Sequence, residues 1–240
     1  MKDKYYPLSF SSLKAFAESP SHFIAYKERQ VEPTTAMLFG TAVHEAVLEP
    51  EKFKLNYAIA RARKGTKIYL SQLEEGKKLL NKSDYYSCKK IAENIKAHPM
   101  ANELLNQCTE FEKGIKGEIS GLPFRGFADA IAPDFVLDLK TTRDGSPYEF
   151  TNSVYRMKYH IQAAIYTTLT NKTDYWIVAV ENKAPYVVTA YLIDKKYLIG
   201  AQMDLLNLIE EFKEWNGKPG GYDRYADNGY LTLNPPTWIK

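Results

Sequence analysis

Cysteine is scarce in this chain: Cys88 and Cys108 are the two among 240 residues. Two thiols cannot build a disulfide framework, and neither stands at metal-ligand spacing from the four histidines. A stapled secreted scaffold and a thiolate zinc site are therefore both excluded. Long apolar runs are missing too. No window approaches the roughly 18 apolar residues of a membrane span, and no basic segment leads into an apolar stretch at the N-terminus. A reducing cytoplasm is the expected setting. Strong net charge is the third absence. The 32 basic and 29 acidic side chains leave +3, which announces no nucleic-acid binder by itself, so an electropositive groove must come from local placement. The run Arg-Ala-Arg-Lys-Gly-Thr-Lys at 61–67 supplies such charge but reads first as a solvated loop.

What is present is ordinary for a soluble fold, with 45% hydrophobic and 25% charged residues. The length predicts one domain over residues 1–240, with residues 54–110 as a possible helical insertion or arm. Ser11 or Ser12 is expected to cap a short helix burying Leu13 and Phe16, which Ser19-Pro20 ends. A second helix follows over about Pro20–Arg29, and a third over Thr35–Leu48, where Gly40 suggests close packing of a backbone or ligand. Residues 51–110 read as mostly polar and helical. Strands then run from about Thr109 to Lys140, with Gly121-Leu-Pro as a hairpin turn. A helix over about Val154–Leu169, strands at 174–181 and 185–193, and a helix over about Lys195–Trp215 complete the pattern. That last helix is expected to bury Leu198, Met203, Leu206, Ile209 and Phe212. The implied class is α/β, a central mixed sheet flanked by helices with a helical N-terminal region.

The chemistry concentrates between Asp129 and Lys140. Apolar alternation around Ala132-Pro133-Asp134 predicts two strands joined by a tight turn, which brings Asp129 near Asp138. Residues two apart share a strand face, so Asp138 and Lys140 point one way while Leu139 faces the core. Two carboxylates can hold a hard divalent cation, and an ammonium beside them can orient water or steady charge on a phosphate. His44, one turn beyond Gly40, can complete a coordination shell through a neutral imidazole. Gln162 and Tyr166 lie four apart on one helix face, where an amide and a phenol can bond phosphate oxygens.

Gly-Thr-x-x-His at 40–44, Gly-x-x-Asp at 126–129, Asp-x-Lys-Thr at 138–141 and Gln-x-x-x-Tyr at 162–166 occur in this order. The series resembles the RecB-like branch of the PD-(D/E)xK nucleases, with a restriction-endonuclease-like core. Glu45 to Phe53, Asp138 to Phe150 and Tyr159 to Tyr166 are similar to the exonuclease VIII group, the RecE-like enzymes of phage and prophage recombination. The resemblance spans about Ser9 to Tyr166. It implies His44, Asp129 and Asp138 as metal-binding side chains, the Leu139 carbonyl as a further ligand, and Lys140 as the group orienting the attacking water. It implies Mg²⁺, with Mn²⁺ as substitute, and digestion of linear double-stranded DNA from its ends. A ring-shaped homo-oligomer and a single-strand annealing protein as partner are implied as well. Asp138 stands where many members of the superfamily carry glutamate. Some relatives bind an iron–sulfur cluster through a cysteine that here is Ser19, and two cysteines cannot supply four thiolates. Two other readings keep the same core: an endonuclease or repair nuclease, or an inactive nucleic-acid-binding module. Glu45 and Glu112 are further acids that can lie near the site, and the sequence gives no reason to choose either.

Overall fold

The computed structural model describes residues 5–28, 34–221 and 232. Helices α1 (Phe10–Glu18), α2 (Pro20–Glu28), α3 (Thr35–Leu48) and α4 (Pro50–Asn56) lead into a short strand, β1 (Tyr57–Ile59). Next come α5 (Lys67–Glu74), β2 (Lys78–Leu80), α6 (Lys82–Ala97) and α7 (Pro99–Gln107). The main strands follow as β3 (Glu110–Ile119), β4 (Leu122–Ile131) and β5 (Phe135–Thr142), then α8 (Pro147–Arg156) and α9 (Tyr159–Thr170). The described part closes with β6 (Asp174–Glu181), β7 (Val188–Leu192) and α10 (Lys195–Glu214).

The larger sheet has the order β3-β4-β5-β6-β7. Its hairpins pair antiparallel, whereas β5 and β6, separated by α8 and α9, pair parallel. A crossover helix returns the chain in the same direction, as a parallel pair requires. The expected mixed α/β architecture is thus observed. Val136 belongs to the core cluster that includes α1, α9 and α10, while Leu137 and Leu139 belong to the cluster that includes α3 and α6. The alternation of β5 therefore gives Asp138 and Lys140 one shared face, as predicted, and the structure shows that face to be the α9 side. The Ala132-Pro133-Asp134 turn also forms, closed by the Ala132 amide donating to the Phe135 carbonyl at 2.9 Å. Below it, α9 is buried along His160–Thr167 between the sheet and its helical neighbours.

Local readings needed correction where short-range chemistry decides. The cap of α1 is Ser9, not Ser11 or Ser12: its hydroxyl accepts from the Ser12 amide while the Ser12 hydroxyl accepts from the Ser9 amide. The β3–β4 loop is Ser120-Gly121, with φ values of 51° and 78°, and Leu122 already belongs to β4. Two left-handed residues make the two-residue hairpin turn that suits strand twist. The helix expected at 154–169 is two helices, because Lys158 turns left-handed with φ 58° between α8 and α9. Residues 51–110 include the parallel pair β1 and β2, and the second strand of the last hairpin begins at Val188 rather than at 185. In α10 the buried set is Leu198, Ala201, Leu205, Ile209 and Phe212, leaving Met203 and Leu206 outside. Arg29, expected in the second helix, lies outside the described residues.

Candidate active site

The site grows from a place where two strands part. β4 and β5 pair at Ala130↔Leu137 and Ile131↔Val136 and at no further position, while β5 continues its ladder with β6 to Thr142↔Glu181. The Leu139 amide, without a backbone partner on β4, donates instead to the side chain of Asp129, at 2.7 Å from Oδ2. A carboxylate thereby does the work of a strand neighbour, which fixes Asp129 and leaves its other oxygen for the site. Leu139 itself packs its side chain into the α3-side core.

Opposite Asp129 stands Glu112. The β3–β4 ladder keeps one register from Glu110↔Ile131 to Ile119↔Leu122, and the pair missing from it is this one. Glu112 has φ 45°, a left-handed conformation that is uncommon outside glycine and is held only when surroundings impose it. His44 comes down from α3, with Nδ1 3.5 Å from Asp129 Oδ1 and 3.8 Å from Glu112 Oε1. Donor atoms of His44, Glu112 and Asp129 all lie within 4.8 Å of one another. One imidazole and two carboxylates suit a divalent cation that favours oxygen, with no thiolate to draw a softer metal.

Asp138 is not in that trio. Its Oδ1 accepts from Lys140 Nζ at 2.7 Å and from Gln162 Nε2 at 2.9 Å. Its Oδ2 is buried and has no partner in hydrogen-bonding geometry among the described residues, although the Tyr175 phenol interacts with Asp138. A buried carboxylate oxygen without a donor is costly, and a nearby cation relieves that cost. The donor set and this orphaned oxygen both fit a divalent metal.

The electrostatics agree. Burial alone would lower the His44 imidazole, but Asp129 and Glu112 outweigh it and hold its pKa at about 10. Burial would raise Asp129, yet the charges of His44 and Lys140 and the Leu139 amide keep it below the usual carboxylate range. For Asp138 burial prevails, reinforced by the charge on Asp129, and its pKa is raised despite Lys140. Burial opposes the Lys140 ammonium, but Asp138 and Asp129 more than restore it, so the lysine is held charged. Two acids whose pKa values are pushed apart in this way are common at functional sites.

The predicted supporting pair falls on α9 as expected. Gln162 holds Asp138, and Tyr166 packs over Gly126, where an added Cβ would lie 3.0 Å from Tyr166 Cε1. Gly40 is different: an added Cβ there would meet Thr141 Oγ1 at 3.9 Å, an ordinary contact, so no close backbone approach explains it. Sequence reasoning missed Tyr159, whose ring lies 4.8 Å below Lys140 Nζ, within cation–π range. It also missed Tyr175 on β6, a fully buried phenol whose pKa burial and the Asp138 charge push far up. Glu112 remained unchosen because its neighbourhood reads as a solvated strand. Counting back from a two-residue turn at Ser120-Gly121 would have placed it opposite Asp129.

Two clefts adjoin these groups. One, of about 650 Å³, is bounded by His44 and Glu112 together with Thr41, Lys52 and Asn56. The other, of about 310 Å³, starts at Tyr159 and is lined by Thr142, Arg143, Ser153 and Arg156.

A strand pair opened at its end, with an acid on β4 and Asp-x-Lys on β5 backed by a glutamine helix, defines the PD-(D/E)xK class. The chain belongs to the family described as a PDDEXK-like domain of unknown function (DUF3799), whose model matches residues 9–218. Among solved structures, a candidate exonuclease from Eubacterium rectale superposes with a TM-score of 0.62 at 14% identity, covering 98% of this chain and 95% of its own. That likeness is one of fold. An alkaline exonuclease from Laribacter hongkongensis covers 72% of this chain and 86% of its own at 11% identity, but with a TM-score of 0.31 the match is too loose to bear on function. No curated protein matches the sequence.

Proposed function

We propose that this chain, acting as one nuclease unit, is a divalent-metal-dependent deoxyribonuclease that digests linear double-stranded DNA from its ends. The observation that carries the reading is the convergence of His44, Glu112 and Asp129 within 4.8 Å beside a buried, charged lysine already bonded to Asp138. In this reading His44, Glu112 and Asp129 hold the ion, with Asp138 and the Leu139 carbonyl as further oxygen donors, and Mg²⁺ or Mn²⁺ suits the set. A cation held there supplies Lewis acidity toward water and the phosphate oxygens.

The chain's own residues do the rest. Lys140 presents a fixed positive charge where negative charge develops during displacement, the placement at which electrostatic stabilisation is largest. Gln162 and Tyr159 hold that lysine and its acid partner in place from α9, so the site is pre-organised before DNA arrives. Tyr166 braces the strand bearing Asp129 through Gly126.

The finer parts of the proposal are end dependence, a role in phage-type recombination, a ring of subunits around DNA, and hand-over to a single-strand annealing protein. They are supported by the motif order and its resemblance to the exonuclease VIII group. A ring also explains how a chain of net charge +3 can hold DNA, since several mild grooves converge on one channel. Among the described residues no helix is long and apolar enough to cross a membrane. The test is to incubate the protein and Mg²⁺ with linear and with covalently closed circular duplex. Loss of the linear form alone is expected, and equal cleavage of the circle would instead favour an endonuclease.

A further inference from the structure

The basic run at 61–67 is folded into a cleft. β1 and β2 pair in parallel from Tyr57↔Lys78 to Ile59↔Leu80, and the chain leaves β1 through this run before entering α5. Gln72, only 3% exposed, fixes the path: its Oε1 accepts from the Arg61 amide at 2.9 Å and its Nε2 donates to the Ile59 carbonyl at 2.7 Å. Farther along, the Thr66 hydroxyl donates to the Arg63 carbonyl at 2.9 Å. The result is a cleft of about 400 Å³ lined by Arg61, Arg63, Lys64 and Lys82 together with Tyr69 and Asn81.

Every charged group lining this cleft is positive. Arg61 approaches Glu75 at 3.9 Å, with both side chains mostly exposed, a contact of little worth. Arg63, Lys64 and Lys82 form no ion pair among the described residues. Three of these charges stand on a loop that neutral hydrogen bonds hold in place and the fourth on the first residue of α6; gathered at one cleft, like charges repel one another, and a polyanion relieves that repulsion.

The arm is tied to the active site at its base. Glu45, next to His44, accepts from the Tyr57 hydroxyl at 3.3 Å and from Lys78 Nζ at 3.1 Å. From Tyr57 to Arg61 is at most ~13 Å of extended chain, at ~3.3 Å per residue. The cleft therefore begins within ~13 Å of the residue that contacts Glu45, on the arm that adjoins the active site.

We infer that the cleft of Arg61, Arg63, Lys64 and Lys82 is a backbone-phosphate seat that grips the DNA on the arm beside the active site. This rests on the nuclease reading, and it gives the 54–110 region the role of a DNA arm. The shared chemistry is the phosphodiester backbone, which a duplex or a single strand can present.

The test is equilibrium binding, in chelator so that nothing is cut, of a long blunt duplex and of a single strand of equal length over a series of salt concentrations. The variant combines Arg63→Ala, Lys64→Ala and Lys82→Ala, all at exposed positions; a second combines Arg63→Glu and Lys64→Glu. Neutralising about three phosphate contacts is expected to flatten the slope of log K against log salt by roughly 2.7 for duplex or 2.1 for single strand, and charge reversal is expected to weaken binding further. Loss on duplex supports entry of intact duplex, and loss confined to the single strand supports a separated strand in the same seat. Unchanged slopes on both overturn the inference, as does a variant that loses affinity for polyglutamate but not for DNA. Metal-dependent cleavage with unchanged slopes rejects the phosphate seat alone, whereas salt-sensitive binding without any cleavage rejects the nuclease reading alone.

Discussion

The ring of Tyr166 lies against Gly126 so closely that no Cβ fits there without a shift: the added atom would sit 3.0 Å from Cε1, 3.1 Å from the hydroxyl and 3.2 Å from Cζ. Gly-x-x-Asp and Gln-x-x-x-Tyr are therefore two halves of one joint between β4 and α9. The same helix face that holds Asp138 through Gln162 also braces the strand carrying Asp129.

Gly126→Ala should accordingly destabilise the protein by about 1–3 kcal/mol, the usual range for overpacking. Chemical denaturation measures this. Adding Tyr166→Ala should recover part of the loss, because the two residues share one contact and their effects are not additive. Fully additive losses would show that the ring is not what Gly126 accommodates.

Glu112 separates backbone strain from ligand chemistry. Its φ of 45° disfavours any L-residue with a Cβ by roughly 1–2 kcal/mol, against about 0.5–1 kcal/mol that glycine forfeits in chain entropy. Glu112→Gly should therefore be more stable than Glu112→Ala, by roughly 0.5–1 kcal/mol. Both should bind Mn²⁺ more weakly than the wild type, by about tenfold or more, as titration calorimetry would record. A Glu112→Ala variant with wild-type Mn²⁺ affinity would remove Glu112 from the metal set.

His44 makes metal binding depend on pH. Burial opposes its protonation, but Asp129 and Glu112 raise its pKa from 6.5 to about 10. The folded state thus binds this proton more tightly than the unfolded state. The resulting stability is complete below about pH 6.5 and is lost as pH rises toward about 10. Without metal, thermal stability should fall across that window, and His44→Gln should flatten the decline. Because the cation displaces the proton, its binding should tighten with rising pH and release protons. Calorimetry in two buffers of different ionisation enthalpy counts them, and a count of zero at pH 7 would contradict a protonated His44.

The legible part of the site was the part governed by strand period. Asp138, Leu139 and Lys140 alternate in a way that fixes their faces without knowledge of the fold, and the Ala-Pro-Asp turn brings Asp129 alongside. Glu112 was hidden because it stands among Glu110, Lys113, Lys116 and Glu118, a composition typical of a solvated strand; its role comes from hairpin register. Lys158 broke an expected helix although Arg156-Met157-Lys158 are good helix formers: it turns left-handed, and its carbonyl accepts from the amides of Ile161 and Gln162 at the start of α9. β1 and β2, three residues each, are too short to show alternation. In α10 the helical phase slipped: Ala201 and Leu205 face inward, and Met203 and Leu206 do not. Small residues at close helix contacts carry little signal in a hydrophobicity pattern.

The most direct test follows hydrolysis of an end-labelled linear duplex by the wild type, Asp129→Ala and Lys140→Ala, each with Mg²⁺ and with excess chelator, after circular dichroism has confirmed that all three are folded. The account predicts cleavage by the wild type with Mg²⁺, none with chelator, and none by either folded variant. Cleavage that survives the chelator, or wild-type rates in Asp129→Ala or Lys140→Ala, would contradict it.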